Sequence, residues 1–175
     1  MLDPQDVTLE RIASDSAPLL TNLLELYVHD LSAVFGVKVG ADGRFGYDKL
    51  PLYWSHPTTH FAYLIRVRGC LGGFALVTRG SPATGDPLDL DLAEFFVLRS
   101  YRRSGVGRRA AVLLWDSLPA HWIVRVAEAN RDGLCFWEET IQRFTHGAFG
   151  TTEYRGKHHI FRVFSFDSPA STAAV

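Results

Sequence analysis

The fold of this chain is decided by a stretch that reads Glu94-Phe95-Phe96-Val97-Leu98-Arg99-Ser100-Tyr101-Arg102-Arg103-Ser104-Gly105-Val106-Gly107-Arg108-Arg109. Its apolar start is typical of a strand buried on both faces, and the next residues, from Ala110 to Trp115, indicate a helix. The first N–H groups of a helix have no partner within it and lie at the positive end of its dipole. Glycines at this point remove Cβ atoms that would keep a ligand from the backbone. The stretch therefore predicts an anion site, most naturally for phosphate.

Two familiar phosphate motifs fit this stretch poorly. A P-loop needs Lys and Ser or Thr after its last glycine, whereas Gly107 is followed by two arginines. The dinucleotide fingerprint matches only in part. Ala110 is permitted at its third glycine position, but the acidic residue at the expected distance, Glu128, lies at the end of the next predicted strand.

The segments on either side predict a mixed α/β protein built on one central sheet. Period-two and apolar runs indicate strands over 7–12, 60–68, 73–78, 90–99, 122–127, 150–155 and 158–166, and helical spacing indicates helices over 20–35, from 110 to Pro119 and around 134–144. With a helical turn in the aromatic loop 40–58, we expect about seven strands and about four helices. We expect one domain over residues 1–166 and a flexible tail over 167–175.

Composition excludes several classes of protein. The 175 residues are 47% hydrophobic with a net charge of -1, which argues against a disordered chain and against a surface for nucleic acid or membrane. Cys70 and Cys135 are isolated, and the seven histidines form no metal-ligand set. The start of the chain is acidic and lacks the apolar core of a signal peptide, and no apolar run is long enough to cross a bilayer. We expect a cytoplasmic protein without a metal.

The motif resembles the signature of the GCN5-related N-acetyltransferase superfamily, Gln/Arg-x-x-Gly-x-Gly/Ala at the start of a helix, which here is Arg102-Arg103-Ser104-Gly105-Val106-Gly107. A second segment, Asn130-Arg131-Asp132-Gly133-Leu134-Cys135-Phe136-Trp137, resembles the family's Asn-x-x-Ala-x-x-Phe-Tyr. The order of elements over residues 7–166 is also that of the family.

The resemblance implies a splayed sheet with acetyl-coenzyme A, the acetyl donor, in a V-shaped opening between the motif strand and the strand at 122–127. It implies pantetheine pairing with the backbone of the motif strand and pyrophosphate contacts with the N–H groups of the loop. The implied cofactor-binding residues are Phe96, Val97, Leu98, Arg102, Arg103, Ser104, Gly105, Val106, Gly107, Arg108, Asn130, Phe136 and Trp137. The implied reaction is direct attack of a primary amine on the thioester, and the alternative is a non-catalytic module that binds or senses acyl-coenzyme A.

Direct attack needs a base, because the acceptor must lose a proton to become a nucleophile. Glu94 is the first candidate, since a carboxylate beside Phe95 and Phe96 lies in an apolar setting that would raise its pKa. Asp91 is the second. The family's general acid, often a tyrosine, is replaced by Trp137. This departure leaves solvent, Tyr154 or Cys135 to protonate the leaving thiolate.

The acceptor side is less defined. In this superfamily the end of the first helix commonly walls the acceptor pocket, which suggests Tyr27, His29 and Asp30. Tyr47, Tyr53 and Trp54, in the aromatic loop, are further candidates for an amine pocket through stacking or cation–π contact, and the alternative is that they fill the core. The acceptor is expected to be a small-molecule or peptide amine. The sequence leaves the oligomeric state open, with a homodimer as the candidate assembly.

Overall fold

The computed structural model describes residues 3–169 and contains one seven-stranded sheet in the order β1-β2-β3-β4-β5-β7-β6. The strands are β1 (Val7–Arg11), β2 (His60–Val67), β3 (Cys70–Arg79), β4 (Leu90–Val97), β5 (His121–Ala127), β6 (Gly150–Arg155) and β7 (Ile160–Asp167). The α-helices of the described range are α1 (Ala17–Phe35), α2 (Leu52–Ser55), α3 (Val106–Ser117) and α4 (Arg131–Thr145). The predicted strand and helix numbers are confirmed. None of these helices is long and apolar enough to cross a membrane.

Helices cover both faces of the sheet. One core joins α3 and α4 to the sheet and is built around Trp115, Trp122 and Trp137. A second core joins α1 and α2 to the opposite face, where Leu20 and Leu24 of α1 are fully buried. Since apolar residues of a helix recur every three or four positions, α1 can bury one stripe and leave its other side in solvent.

The sheet splays between β4 and β5. These parallel strands pair only through Leu90↔Trp122, Asp91↔Ile123 and Leu92↔Val124, whereas β4 continues to pair with β3 as far as Val97. The second half of β4 therefore diverges from β5 and leaves a V-shaped opening, as the resemblance implied. The mixed, splayed sheet is confirmed.

The last strand extends past the predicted domain boundary. Asp167 belongs to β7, and Ser168 is buried, with its hydroxyl accepting hydrogen bonds from Ala120 N at 3.1 Å and Trp122 Nε1 at 3.2 Å. These two residues of the predicted flexible tail thus pack on the sheet. The rest of that tail, residues 170–175, lies outside the described residues.

Candidate active site

The predicted anion site falls on the loop after β4 and the first turn of α3. Gly105 is the N-cap of α3 and has a φ of +87°, a left-handed conformation that L side chains rarely adopt. The N–H of Arg109 bonds to the Gly105 carbonyl oxygen at 3.0 Å, so the N–H groups of Val106, Gly107 and Arg108 come before the first bond of the helix. The Val106 side chain is buried in the core, which leaves its backbone to face a ligand.

Gly107 allows close packing between the start of α3 and a side chain of α4. A Cβ at this position would lie 3.1 Å from Cζ of Phe136 and 3.6 Å from Cγ2 of Val97, so it would contact the protein. The Cβ position of Gly107 thus lies against Phe136 and Val97, both of which line the opening, whereas that of Gly105 has open space around it. Gly107 lets the first turn of α3 pack against Phe136 of α4, which itself lines the opening.

Asp30 holds the loop from the side of α1. Its carboxylate accepts a hydrogen bond from Arg99 Nη2 at 2.9 Å and another from Arg102 Nη2. Partial burial opposes ionisation, but these two guanidinium groups lower the pKa of Asp30. Arg102 also donates from Nε to the Val97 carbonyl oxygen at 2.7 Å. Asp30 was predicted to contact the acceptor, whereas the structure places it against the loop arginines.

The remaining loop side chains divide into two groups. Arg103 and Arg108 line the opening. Ser104 donates from its hydroxyl to the Tyr101 carbonyl oxygen at 2.6 Å and so stabilises the turn. Arg99 and Arg102 are thus tied to Asp30, whereas Arg103 and Arg108 lie at the opening.

A single cleft of about 1860 Å³ connects this loop to the other face of the sheet through the V. Pockets for drug-sized ligands are typically about 300–1,000 Å³, so the cleft is large enough for an extended ligand and a second small molecule. Phe136 and Trp137 of α4 line one wall. Asn130 lies in the same wall, but its Oδ1 accepts from Gly133 N at 3.0 Å and caps α4. That oxygen is engaged in holding the helix start.

The strand edge in the cleft offers fewer backbone groups than expected. Leu98 donates its N–H to the Gly72 carbonyl oxygen at 2.8 Å, toward β3. Because backbone groups alternate in direction along a strand, Phe96 also faces β3, while Phe95 and Val97 face the opening. This argues against pantetheine pairing with the backbone of Phe96 or Leu98. Of the three residues 96–98, Val97 still offers its N–H to a ligand in the opening, whereas its carbonyl oxygen already accepts a hydrogen bond from Arg102.

A β-bulge brings Asp91 and Glu94 to one face. Leu76 pairs with Glu94 and Val77 pairs with Leu92, so Ala93 is the extra residue on β4. Residues three apart on a regular strand point to opposite faces, and the bulge reverses this rule. Both carboxylates therefore lie on the α1–α2 face.

The Glu94 carboxylate accepts hydrogen bonds from two tyrosine hydroxyl groups. Tyr27 donates to Oε2 at 2.5 Å from α1, and Tyr47 donates to Oε1 at 2.8 Å from the loop before α2. Burial raises the pKa of Glu94 above its ordinary value, although these hydrogen bonds and the cations Arg125 and Lys49 act in the opposite direction. Burial and the neighbouring carboxylate raise the pKa of both tyrosines, so each remains a donor.

Asp91 has a different environment. It is fully buried, and its carboxylate accepts from Arg125 Nε at 2.7 Å, from Arg125 Nη2 at 2.9 Å and from Ser81 Oγ at 2.5 Å. Burial alone would lower the pKa of Arg125, but the carboxylates of Asp91 and Glu94 raise it. Asp91 is thus the partner of a cation and has no open approach for a substrate proton. This pairing argues against Asp91 as the base.

Comparisons with known proteins agree with this geometry. No protein-family model matches the sequence, and no curated protein sequence matches it. Among solved structures, an acetyltransferase from Thermus thermophilus superposes with a TM-score of 0.67 at 15% identity, covering 92% of this chain and 96% of that one. Spermidine N-acetyltransferase from Vibrio cholerae, in complex with coenzyme A and spermine, gives 0.61 at 14% identity over 94% and 96%.

A third neighbour is the ribosomal-protein-S18-alanine N-acetyltransferase from Escherichia coli, with a TM-score of 0.61 at 12% identity over 97% of this chain and 98% of that one. The chain has the fold of the GCN5-related N-acetyltransferases. At identities this low the likeness establishes the fold, so the roles of individual residues rest on their geometry in this chain.

Within this acetyltransferase fold, sequence reasoning located some site residues and missed others. Glu94 and Tyr27, proposed from different segments, are brought into contact, whereas His29 is exposed beside Phe45. Arg125 was missed, although a single arginine inside the apolar run of a predicted strand is the kind of residue that needs a buried anion. Tyr53, noted as a candidate for the amine pocket, is buried and lies within electrostatic reach of Glu94.

Proposed function

We propose that the protein transfers an acetyl group from acetyl-coenzyme A to a primary amine. The observation that carries this proposal is Glu94, a half-buried carboxylate that accepts hydrogen bonds from Tyr27 and Tyr47 and lies in the same cleft as the start of α3. A proton acceptor and a phosphate site in one cleft fit a reaction between an amine and a phosphate-bearing donor.

The donor fits the loop and the V-shaped opening. The N–H groups of Val106, Gly107 and Arg108 would hold the pyrophosphate, with Arg103 and Arg108 adding positive charge. The Val97 N–H would pair with the pantetheine, and Phe136 and Trp137 would contact its apolar parts. Acetyl-coenzyme A, when bound, supplies an activated thioester carbonyl carbon as the electrophile.

Glu94 would act as the general base, directly or through a water. It would remove one proton from the acceptor ammonium, and the freed nitrogen lone pair would form the new bond to the carbonyl carbon. The nitrogen releases its second proton to solvent as the bond from that carbon to sulfur breaks, which leaves a neutral amide, and the thiolate takes one proton to become the free thiol. The raised pKa of Glu94 suits this role, because a base works best when its pKa lies close to the working pH.

The leaving thiolate would take its proton from solvent, from Tyr154 or from Cys135, which lines the cleft. Trp137, at the position of the family's tyrosine, has no proton to give at a useful pKa, and it is buried against Phe95 with ring centroids 5.0 Å apart. Tyr27 and Tyr47 are engaged by Glu94. Location in the cytoplasm and assembly as a homodimer stay predictions.

The test is Glu94→Gln, which keeps the shape of the side chain and removes the proton acceptor. General base catalysis is worth about 10²- to 10⁴-fold, so kcat should fall by that factor in an assay of thiol release with a panel of amines. Coenzyme A affinity, measured by calorimetry, should be close to that of the wild type. Glu138→Gln, an exposed change on α4 outside the cleft, is the matched control.

Two outcomes would contradict this proposal in different ways. If wild-type protein binds coenzyme A tightly and acetylates no amine of the panel, the non-catalytic acyl-coenzyme A module is the better description. If Glu94→Gln retains full kcat, the amine loses its proton to another group.

A further inference from the structure

Arg125 and Lys49 line the acceptor end of the cleft together with the Glu94 carboxylate, so this end presents both signs of charge to an acceptor. Asp91, the partner of Arg125, is fully buried. Asp91 is neutralised by Arg125 through two hydrogen bonds. We propose that the acceptor amine carries an anionic group, and that Arg125 and Lys49 bind that group while Glu94 faces the amine; this inference rests on the proposed acetyl transfer.

Arg125 has hydrogen-bonding capacity left over. Its Nε and Nη2 contact Asp91, and Nη1 makes no hydrogen bond to any residue that the structure describes, yet it is not sealed from solvent. The side chain is 19% exposed and lines the cleft, so a ligand in the cleft could accept hydrogen bonds from this guanidinium. A guanidinium that already holds one carboxylate can donate in this way to a second anion.

Lys49 adds a second cation to the same region. It precedes α2, is exposed, lines the cleft and lies close enough to Glu94 to lower the pKa of that carboxyl. Within residues 3–169 no carboxylate forms an ion pair with Lys49. Its ammonium is available to an acceptor.

The two kinds of charge are separated in a way that suits a zwitterion. No nitrogen of Arg125 or Lys49 lies within 4.0 Å of a Glu94 oxygen, so the carboxylate and the cations face one another without pairing directly. An amino acid, or an amine that carries a phosphate, places its ammonium and its anion a few bonds apart and satisfies both sides. A polyamine would bring several cations to one carboxylate and two cationic side chains.

The experiment compares matched acceptors in the thiol-release assay with the full chain and acetyl-coenzyme A. The pairs are α-amino acids against their amides, and phosphoethanolamine against ethanolamine, with spermidine as the polycation. A hydrogen bond to a charged group is worth about 1.5–3 kcal/mol, so kcat/KM should be about 10- to 100-fold higher for the anionic member. The pair that shows the difference tells whether the anion is a carboxylate or a phosphate.

Lys49→Ala should shrink this anion-to-neutral ratio by about tenfold, mainly through KM, whereas Lys157→Ala, in the exposed turn after β6, should keep it. Loss of kcat by the same factor for both members would mean that Lys49 does not bind the anion and would overturn the assignment.

Wild-type rates with spermidine or the neutral amines that equal or exceed those with the anionic acceptors would also overturn the inference, while acetyl transfer itself would stand. Acetylation of none of these amines by a protein that binds coenzyme A would refute acetyl transfer together with this inference.

Discussion

Tyr47→Phe should move the pH dependence of catalysis by an amount that follows from one hydrogen bond. The Tyr47 hydroxyl donates to Oε1 of Glu94 at 2.8 Å and stabilises the ionised carboxylate. A hydrogen bond to a charged group contributes about 1.5–3 kcal/mol, and one pKa unit corresponds to about 1.36 kcal/mol. Removing the bond should raise the pKa of Glu94 by about 1–2 units. We expect about 1 unit, since Tyr27 remains and water can enter from the cleft.

The sign of the effect on activity follows from the role of the base. Glu94 removes a proton only when ionised, so activity is present above its pKa and falls as pH drops through it. With a higher pKa in Tyr47→Phe, the acidic limb of kcat/KM should lie about 1 unit higher. Activity should be about tenfold lower below the wild-type limb and little changed on the plateau. The same acceptor is used throughout, so its own ionisation is common to both profiles.

Tyr63→Phe is the matched control, because Tyr63 is a buried tyrosine of β2 that does not line the cleft. Its profile should overlay that of the wild type. If Tyr47→Phe lowers kcat equally at every pH and leaves the limb in place, Tyr47 acts on packing alone and the assignment of Glu94 as the titrating base is refuted.

Two further changes test the surroundings of the base and of the loop. Asp91→Asn removes the charge that pairs with Arg125. Because breaking a buried ion pair typically costs about 3–5 kcal/mol, urea denaturation should show a free energy of unfolding lower by about 3 kcal/mol. Unchanged stability with abolished kcat would instead make Asp91 the base. Gly107→Val would force a side chain against Phe136, 3.1 Å from the Cβ position. Overpacking of this kind costs about 1–3 kcal/mol, so calorimetry should show a lower Tm and weaker coenzyme A binding. An unchanged Tm and unchanged affinity would show that α4 can shift to accommodate the side chain without cost.

The sequence was sufficient for the features that depend on local pattern. Apolar runs and turn residues predicted the strands, and the glycines followed by apolar residues predicted the start of α3. Glu94 could be named because a carboxylate inside an apolar strand is uncommon. Each of these depends on residues that are neighbours along the chain.

The features that the sequence did not predict depend on contacts between distant segments. Asp91 and Glu94 share a face because of the bulge at Ala93, which no pattern of residue types indicates. Asp30 contacts an arginine 72 positions away, so its role depends on how α1 is placed against the loop. A side chain at position 107 would contact Phe136, which lies on another helix. Such contacts exist only after the whole sheet has formed.

Helix α1 carries both Tyr27 and Asp30, less than one helical turn apart, and these residues contact opposite halves of the cleft. Asp30 contacts the loop that would bind the donor, and Tyr27 contacts the base that would deprotonate the acceptor. A displacement of the helix on donor binding would therefore also change the hydrogen bond on Glu94. By thermodynamic linkage such coupling is reciprocal, so each substrate should alter the affinity for the other by the same factor. The two binding events would then be cooperative through one rigid segment.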